Sequence, residues 1–143
     1  MPIPSFRDDG CLPAGLHRAT LDEVRERFGA SSDRRRELMP RVEEWFELAK
    51  SIQALRLVFD GSFVTEKISP NDVDAVMLLP VDFQQRISRS DPVAWEIEHV
   101  VRYKDPPELF VAYSEPRWAS LVEFFSRQRG SNATPKGLVE VIL

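Results

Sequence analysis

The chain has 143 residues, a formal net charge of −4, 43% apolar and 29% charged residues, which is the make-up of one ordinary folded domain with a real core. That charge argues against a large non-specific nucleic-acid surface, and no apolar run approaches the roughly 20 residues of a membrane span. The single cysteine, Cys11, excludes an internal disulfide and suits a reducing, cytoplasmic compartment, and no apolar h-region follows Met1-Pro2-Ile3-Pro4 to make a signal peptide.

Residues 1–19 are rich in proline and glycine and read as an extended arm held by Ile3, Phe6, Leu12 and Leu16. His17 and His99 are too far apart in sequence to suggest a zinc site. Thr20-Leu21-Asp22-Glu23 is a capping box, opening a short helix with Leu21, Val24 and Phe28 on one face and Gly29 as its stop. Ser31 or Ser32 then caps a longer helix to about Ile52, with Leu38, Val42, Trp45, Phe46, Leu48 and Ala49 at helical spacing. Pro40 lies inside it and should kink the helix or split it in two. Arg34-Arg35-Arg36 with Arg41, and Arg127, Arg129 and Lys136 near the end, are candidate basic patches, but a solvated helix face and a solvated tail are the simpler reading.

Leu55-Arg56-Leu57-Val58-Phe59 is the first predicted strand and Val73–Leu79 the second, ended by Pro80. Between them stands Gly61-Ser62-Phe63-Val64-Thr65-Glu66-Lys67-Ile68-Ser69-Pro70-Asn71-Asp72-Val73-Asp74. Residues two apart on a strand share a face, so Asp72 and Asp74 aim both carboxylates at one point. Two adjacent anions repel, and a divalent cation is the usual relief. Gly61 lacks a Cβ and lets a phosphate come close, while Ser62 adds a hydroxyl and a backbone N–H. Lys67 could meet the β- or γ-phosphate, though a solvated loop lysine is the simpler reading, and Thr65 offers a further hydroxyl. Asp60-Gly61 between apolar runs is also a hairpin signal, with Phe63–Thr65 as the return strand. A short helix beginning at Gly61-Ser62 is favoured, because Pro70-Asn71 already turns the chain back toward the sheet.

Beyond Pro80, Val81–Ser88 is a brief helix or loop. Asp91-Pro92 caps a helix with a buried stripe of Val93, Ile97, Val100 and Val101. Glu108–Tyr113 reads as a third strand. Ser114-Glu115-Pro116 starts a helix carrying Trp118, Leu121, Val122, Phe124 and Phe125 and ending near Gly130. A polar loop, Gly130–Lys136, precedes Gly137–Leu143, either a closing strand or a tail that pairs with a partner. The sum is an α/β (α+β) domain, a small mixed sheet with helices packed on it behind an N-terminal arm.

An apolar strand, Gly-Ser, a spacer of nine residues and Asp-x-Asp on the next strand resemble the signature of the nucleotidyltransferase superfamily in its minimal form. The chain also resembles an uncharacterised bacterial family of small nucleotidyltransferase-like proteins, through Pro4-Ser5-Phe6, Leu12-Pro13-Ala14-Gly15-Leu16-His17, Gly61–Thr65 and Pro70–Asp74. The resemblance implies a nucleotidyltransferase-like fold in which Asp72 and Asp74 bind Mg²⁺ or Mn²⁺ on a nucleoside triphosphate, and Gly61 and Ser62 hold its phosphates. It also implies a third acid on a later strand, which binds a second metal or deprotonates the attacking hydroxyl. Glu108 is the first candidate for that place and Asp105 its rival.

Competing motifs fail. An EF-hand loop needs a third ligand and then Gly where Val76 and Met77 stand, and no P-loop is present. Two functions follow. One is transfer of a nucleoside monophosphate to a hydroxyl of a protein or RNA acceptor, by analogy in a toxin–antitoxin or defence pair. The other is an antitoxin-like interaction module of the same fold that transfers poorly or not at all.

Overall fold

Alternate residues of a strand face opposite ways, and the two central predicted strands are apolar on both faces, so each must be covered twice. A computed structural model, which describes residues 3–127 and 134–143, shows that cover. The elements are β1 (Gly15–Ala19), α1 (Leu21–Phe28), α2 (Asp33–Ile52), β2 (Arg56–Asp60), a 3₁₀ turn (Ser62–Val64), β3 (Asp74–Leu78), α3 (Phe83–Ser88), α4 (Pro92–Tyr103), β4 (Leu109–Ala112), α5 (Glu115–Ser126) and β5 (Gly137–Val141). The sheet order is β1-β5-β2-β3-β4. The pairs β1–β5 and β3–β4 are parallel, whereas β5–β2 and β2–β3 are antiparallel. The fold is therefore a mixed α/β arrangement of five strands and five helices among the described residues.

Leu57, Phe59, Ala75, Met77, Leu109, Val139 and Val141 line the face packed against the first four helices, through Val24, Phe28, Trp45, Ala49, Ile52, Phe83 and Ile97. Val58, Val76, Leu78, Ala112 and Leu138 line the other face, beneath Trp118 and Leu121 of α5. No described helix is long and apolar enough to cross a membrane.

The local capping signals hold. Thr20 and Glu23 form both bonds of the capping box, and Ser32 rather than Ser31 caps α2. Asp91 accepts from the amides of Val93 and Ala94 at the start of α4, and Ser114 caps α5. Some expectations are made definite and others corrected. The end of the arm, Gly15–Ala19, is the strand β1, paired in parallel with β5. Of the two readings of the final segment the closing strand holds: β5 lies between β1 and β2 and is buried along its length. Pro40 does not split α2, which runs unbroken from Asp33 to Ile52 with Met39, Val42 and Trp45 buried around the proline. Phe124, assigned to the apolar stripe of α5, is 67% exposed. Arg129, Gly130 and most of the predicted polar loop lie outside the described residues.

Candidate functional site

β2 ends at Asp60, and the chain turns at Gly61 with φ +92°. A Cβ there would lie 2.9 Å from the Asp72 carbonyl oxygen and 3.1 Å from its Oδ1, so both conformation and space require glycine. The short 3₁₀ turn, not a hairpin, follows. The Ser62 hydroxyl and N–H both donate to Asp72 Oδ1 at 2.9 Å. The same hydroxyl accepts from the Asn71 amide at 2.8 Å, and the Phe63 amide donates to the Asp72 carbonyl at 3.0 Å. The Gly-Ser corner thus grips the Asp-x-Asp segment directly. The donors expected to stand open for a phosphate are spent on Asp72, and the Thr65 hydroxyl donates to the Ser62 carbonyl at 2.6 Å. Gly61→Ala should cost about 2 kcal/mol through backbone strain and contact with Asp72, read as a lowered urea midpoint. An unchanged midpoint would remove the corner's claim to position Asp72.

The spacer is held from behind by the first turn of α2. Arg35 is 3% exposed, and its guanidinium donates to the carbonyls of Phe28 (3.1 Å), Phe63 (2.6 Å), Thr65 (2.7 Å) and Lys67 (2.7 Å). Arg34 donates to the carbonyls of Pro70 and Asn71, and the Ser32 hydroxyl to that of Ile68. A solvated arginine face was expected, and Arg35 overturns it. The missed signal is electrostatic: three arginines in a helix's first turn oppose the macrodipole, and such a local conflict needs a structural reason.

Acidic side chains gather where β2 ends and β3 begins. Asp60 and Asp74 are directly opposite across the antiparallel pair, and Asp72 precedes Asp74 by one alternation. Asp60 is buried, with Lys136 Nζ 2.9 Å from its Oδ1. Burial pushes the Asp60 carboxyl up, against the downward pull of Lys136 and the Gly61 amide. Asp74 is half-buried and pushed up to about 7, first by desolvation and then by the charges of Asp72, Asp60 and Glu108.

Glu108 stands just before β4, and its carbonyl accepts from the Ala75 amide at 2.8 Å. Its buried carboxylate is ion-paired with Arg41, and Lys104 Nζ lies 3.8 Å away. Asp105, the rival acid, is exposed and does not figure among the charges acting on Asp74. Lys67 is also exposed, lining with Asp8, Gly10, Thr65 and Ile68 an open pocket of about 580 Å³ that includes none of Asp60, Asp72, Asp74 and Glu108. The structure therefore brings together Gly61, Ser62, Asp72 and Asp74, adds Asp60 and Lys136, and places Glu108 nearby with its charge already matched. Sequence reasoning missed Asp60, whose only mark was its place at the end of β2.

The donor set suits a hard divalent cation in part. No hydrogen bond reaches the Asp74 carboxylate or Asp72 Oδ2 among the described residues, so oxygen lone pairs and uncompensated charge coincide there. Among the described residues, no three of His, Cys, Asp and Glu are grouped so as to hold a metal ion by themselves. A pair of carboxylates plus substrate phosphates is the arrangement Mg²⁺ commonly accepts.

Residues 4–142 match the model of a Family of unknown function (DUF6932). No curated protein and no solved structure matches the chain.

Proposed function

We propose that this chain, which belongs to that family of unknown function, is a metal-dependent nucleotidyltransferase of the cytoplasm. It takes a nucleoside triphosphate and moves the nucleoside monophosphate to a hydroxyl of a protein or RNA acceptor. The acceptor oxygen attacks the α-phosphorus and loses its proton, while the bond to the β-phosphate oxygen breaks and pyrophosphate leaves. The observation that carries this reading is the convergence of Asp72 and Asp74 beside the Gly61–Ser62 corner, with one carboxylate pushed up to about 7 by its neighbours. A bound Mg²⁺ or Mn²⁺ would supply charge neutralisation on the phosphates. Asp72 and Asp74 would hold it, and Ser62 keeps Asp72 in its rotamer. Gly61 leaves the corner free of a side chain. Glu108, locked by Arg41 and Lys104, sets the local charge rather than serving as an open third ligand.

Incubation with labelled ATP, GTP, CTP or UTP and Mg²⁺, with candidate acceptors, tests the reading. Asp72→Ala and Asp74→Ala should each lower labelling by about a hundredfold or more, and equal labelling by wild type and variants defeats it. The commitment of Glu108 and of the Ser62 donors favours a second reading, an antitoxin-like binding module. Calorimetry with ATP and Mg²⁺ separates the two: micromolar binding supports the enzyme, and no heat supports the module.

A further inference from the structure

β4 is one edge of the sheet, and its ladder with β3 uses only alternate residues. The Glu108 and Ala112 carbonyls accept from the Ala75 and Leu79 amides, so Glu108, Phe110 and Ala112 turn their backbone groups inward. The N–H and C=O groups of Leu109, Val111 and Tyr113 therefore point away from the sheet. Among the described residues no backbone bond outside that ladder reaches them. No charge guards this edge: Leu109-Phe110-Val111-Ala112-Tyr113-Ser114 is neutral, and Pro106, Pro107 and Pro116 stand outside it. β1, at the other edge, carries the exposed Arg18. Exposed aromatic side chains flank β4 on both faces. Tyr113, 51% exposed, projects on the α4 side, where its hydroxyl donates to Glu98 Oε1 at 2.8 Å. On the α5 side the rings of Phe110 and Phe125 lie 4.9 Å apart, and Phe124 beside them is 67% exposed.

We propose that β4 pairs antiparallel with β4 of a second copy of this chain, about a two-fold axis through Val111, so that the two sheets become one. The strand is self-complementary in this register. Val111 lies opposite Val111, and Leu109 opposite Tyr113 of the second copy, and each such pair exchanges both N–H···O bonds. On the other face Phe110 meets Ala112 of the second copy, a large side chain against a small one. Charge fits as well. Glu98 and Arg102, 3.9 Å apart on α4, both act on Tyr113 at the open edge. The two-fold reverses their order and brings each acid toward the guanidinium of the other copy. An extended peptide from another protein would use the same backbone groups but not this matched pairing, which favours the second copy. Asp72 and Asp74 take no part, so the inference stands apart from the reading of nucleotidyl transfer.

Sedimentation equilibrium of the full chain tests it. Wild type at about 10 μM should weigh twice the 16.4 kDa of one chain. Val111→Lys and Val111→Glu each set like charges opposite one another on the axis. Each should weaken the dimer about a hundredfold or more and leave a monomer whose circular dichroism is that of wild type. Mixed in equal amounts the two variants should pair again, since a lysine then faces a glutamate. Val111→Pro removes an N–H that no bond within the single chain uses and should disperse the dimer without a charge. It decides the matter if the charged variants lose their circular dichroism. Wild type that is monomeric at about 100 μM overturns the proposal. A dimer that survives Val111→Lys or Val111→Pro places the contact elsewhere and overturns it too, as does a mixture of folded charged variants that stays monomeric.

Discussion

Replacing Arg35 by methionine should destabilise the protein by about 4 kcal/mol, a large part of the roughly 5–15 kcal/mol that holds a domain together. Among the described residues the guanidinium has no carboxylate partner. It is bound to four backbone carbonyls, three of them in the spacer between β2 and β3. Burial lowers its pKa from the ordinary arginine value, yet it stays charged, and those carbonyl dipoles replace its lost water. Each hydrogen bond to a charged group contributes about 1.5–3 kcal/mol, and each buried carbonyl left unpaired costs about 1–3 kcal/mol. The partly exposed loop rehydrates some of them, which sets the total below a simple sum. Arg35→Lys should recover only a fraction, since an ammonium cannot span the fork of carbonyls. Arg34→Ala, which unpairs a part-buried carbonyl at Pro70 and an exposed one at Asn71, should cost about 1 kcal/mol. Urea unfolding of the three variants measures this order. An Arg35→Met midpoint within experimental error of wild type would mean that the spacer is not held from α2.

The contrast between Arg35 and the helix caps shows what a single sequence carries. Thr20 with Glu23, Asp91 with Pro92 and Ser114 act on backbone amides two or three residues away, so spacing alone exposes them. Gly61, Ser62, Asp72 and Asp74 were legible for a similar reason: a rigid corner and an alternation of two fix their relative placement without knowledge of the rest. The partners of β1 are different. Gly15–Ala19 pairs with Gly137–Val141, more than a hundred residues on; the first stretch does not announce a strand, and the second read as either a closing strand or a tail. Each becomes one through the other, and with β5 unplaced the position of Lys136 beside Asp60 was invisible. Asp60 was hidden too, because it read as the first residue of a turn when it is the last of β2. Phe124 failed the opposite way, since helical spacing gave it to the core while α5 covers only one narrow side of the sheet.

The strongest pH effect should come from Asp74. Its carboxyl is pushed up to about 7 in the folded protein, against about 3.9 in an unfolded chain. Between those values the folded state keeps a proton that the unfolded state has lost, so stability falls as pH rises from about 4 to about 7. A shift of that size corresponds to about 4 kcal/mol at full effect, and partial solvent contact reduces it to about 2–3 kcal/mol. Asp74→Asn should therefore be more stable than wild type at pH 8 by that amount and nearly equal to it near pH 4. Some slope should survive in the variant, because the buried Asp60 carboxyl is raised as well. At pH 8, Mg²⁺ should raise the wild-type melting temperature and leave that of Asp74→Asn almost unmoved, since a cation relieves a repulsion the variant no longer has. Parallel stability curves for the two proteins across pH 4–8 would place the Asp74 charge in free contact with water. The amide variant separates the cost of the Asp74 charge from the proposed transfer: stability should rise while labelling falls.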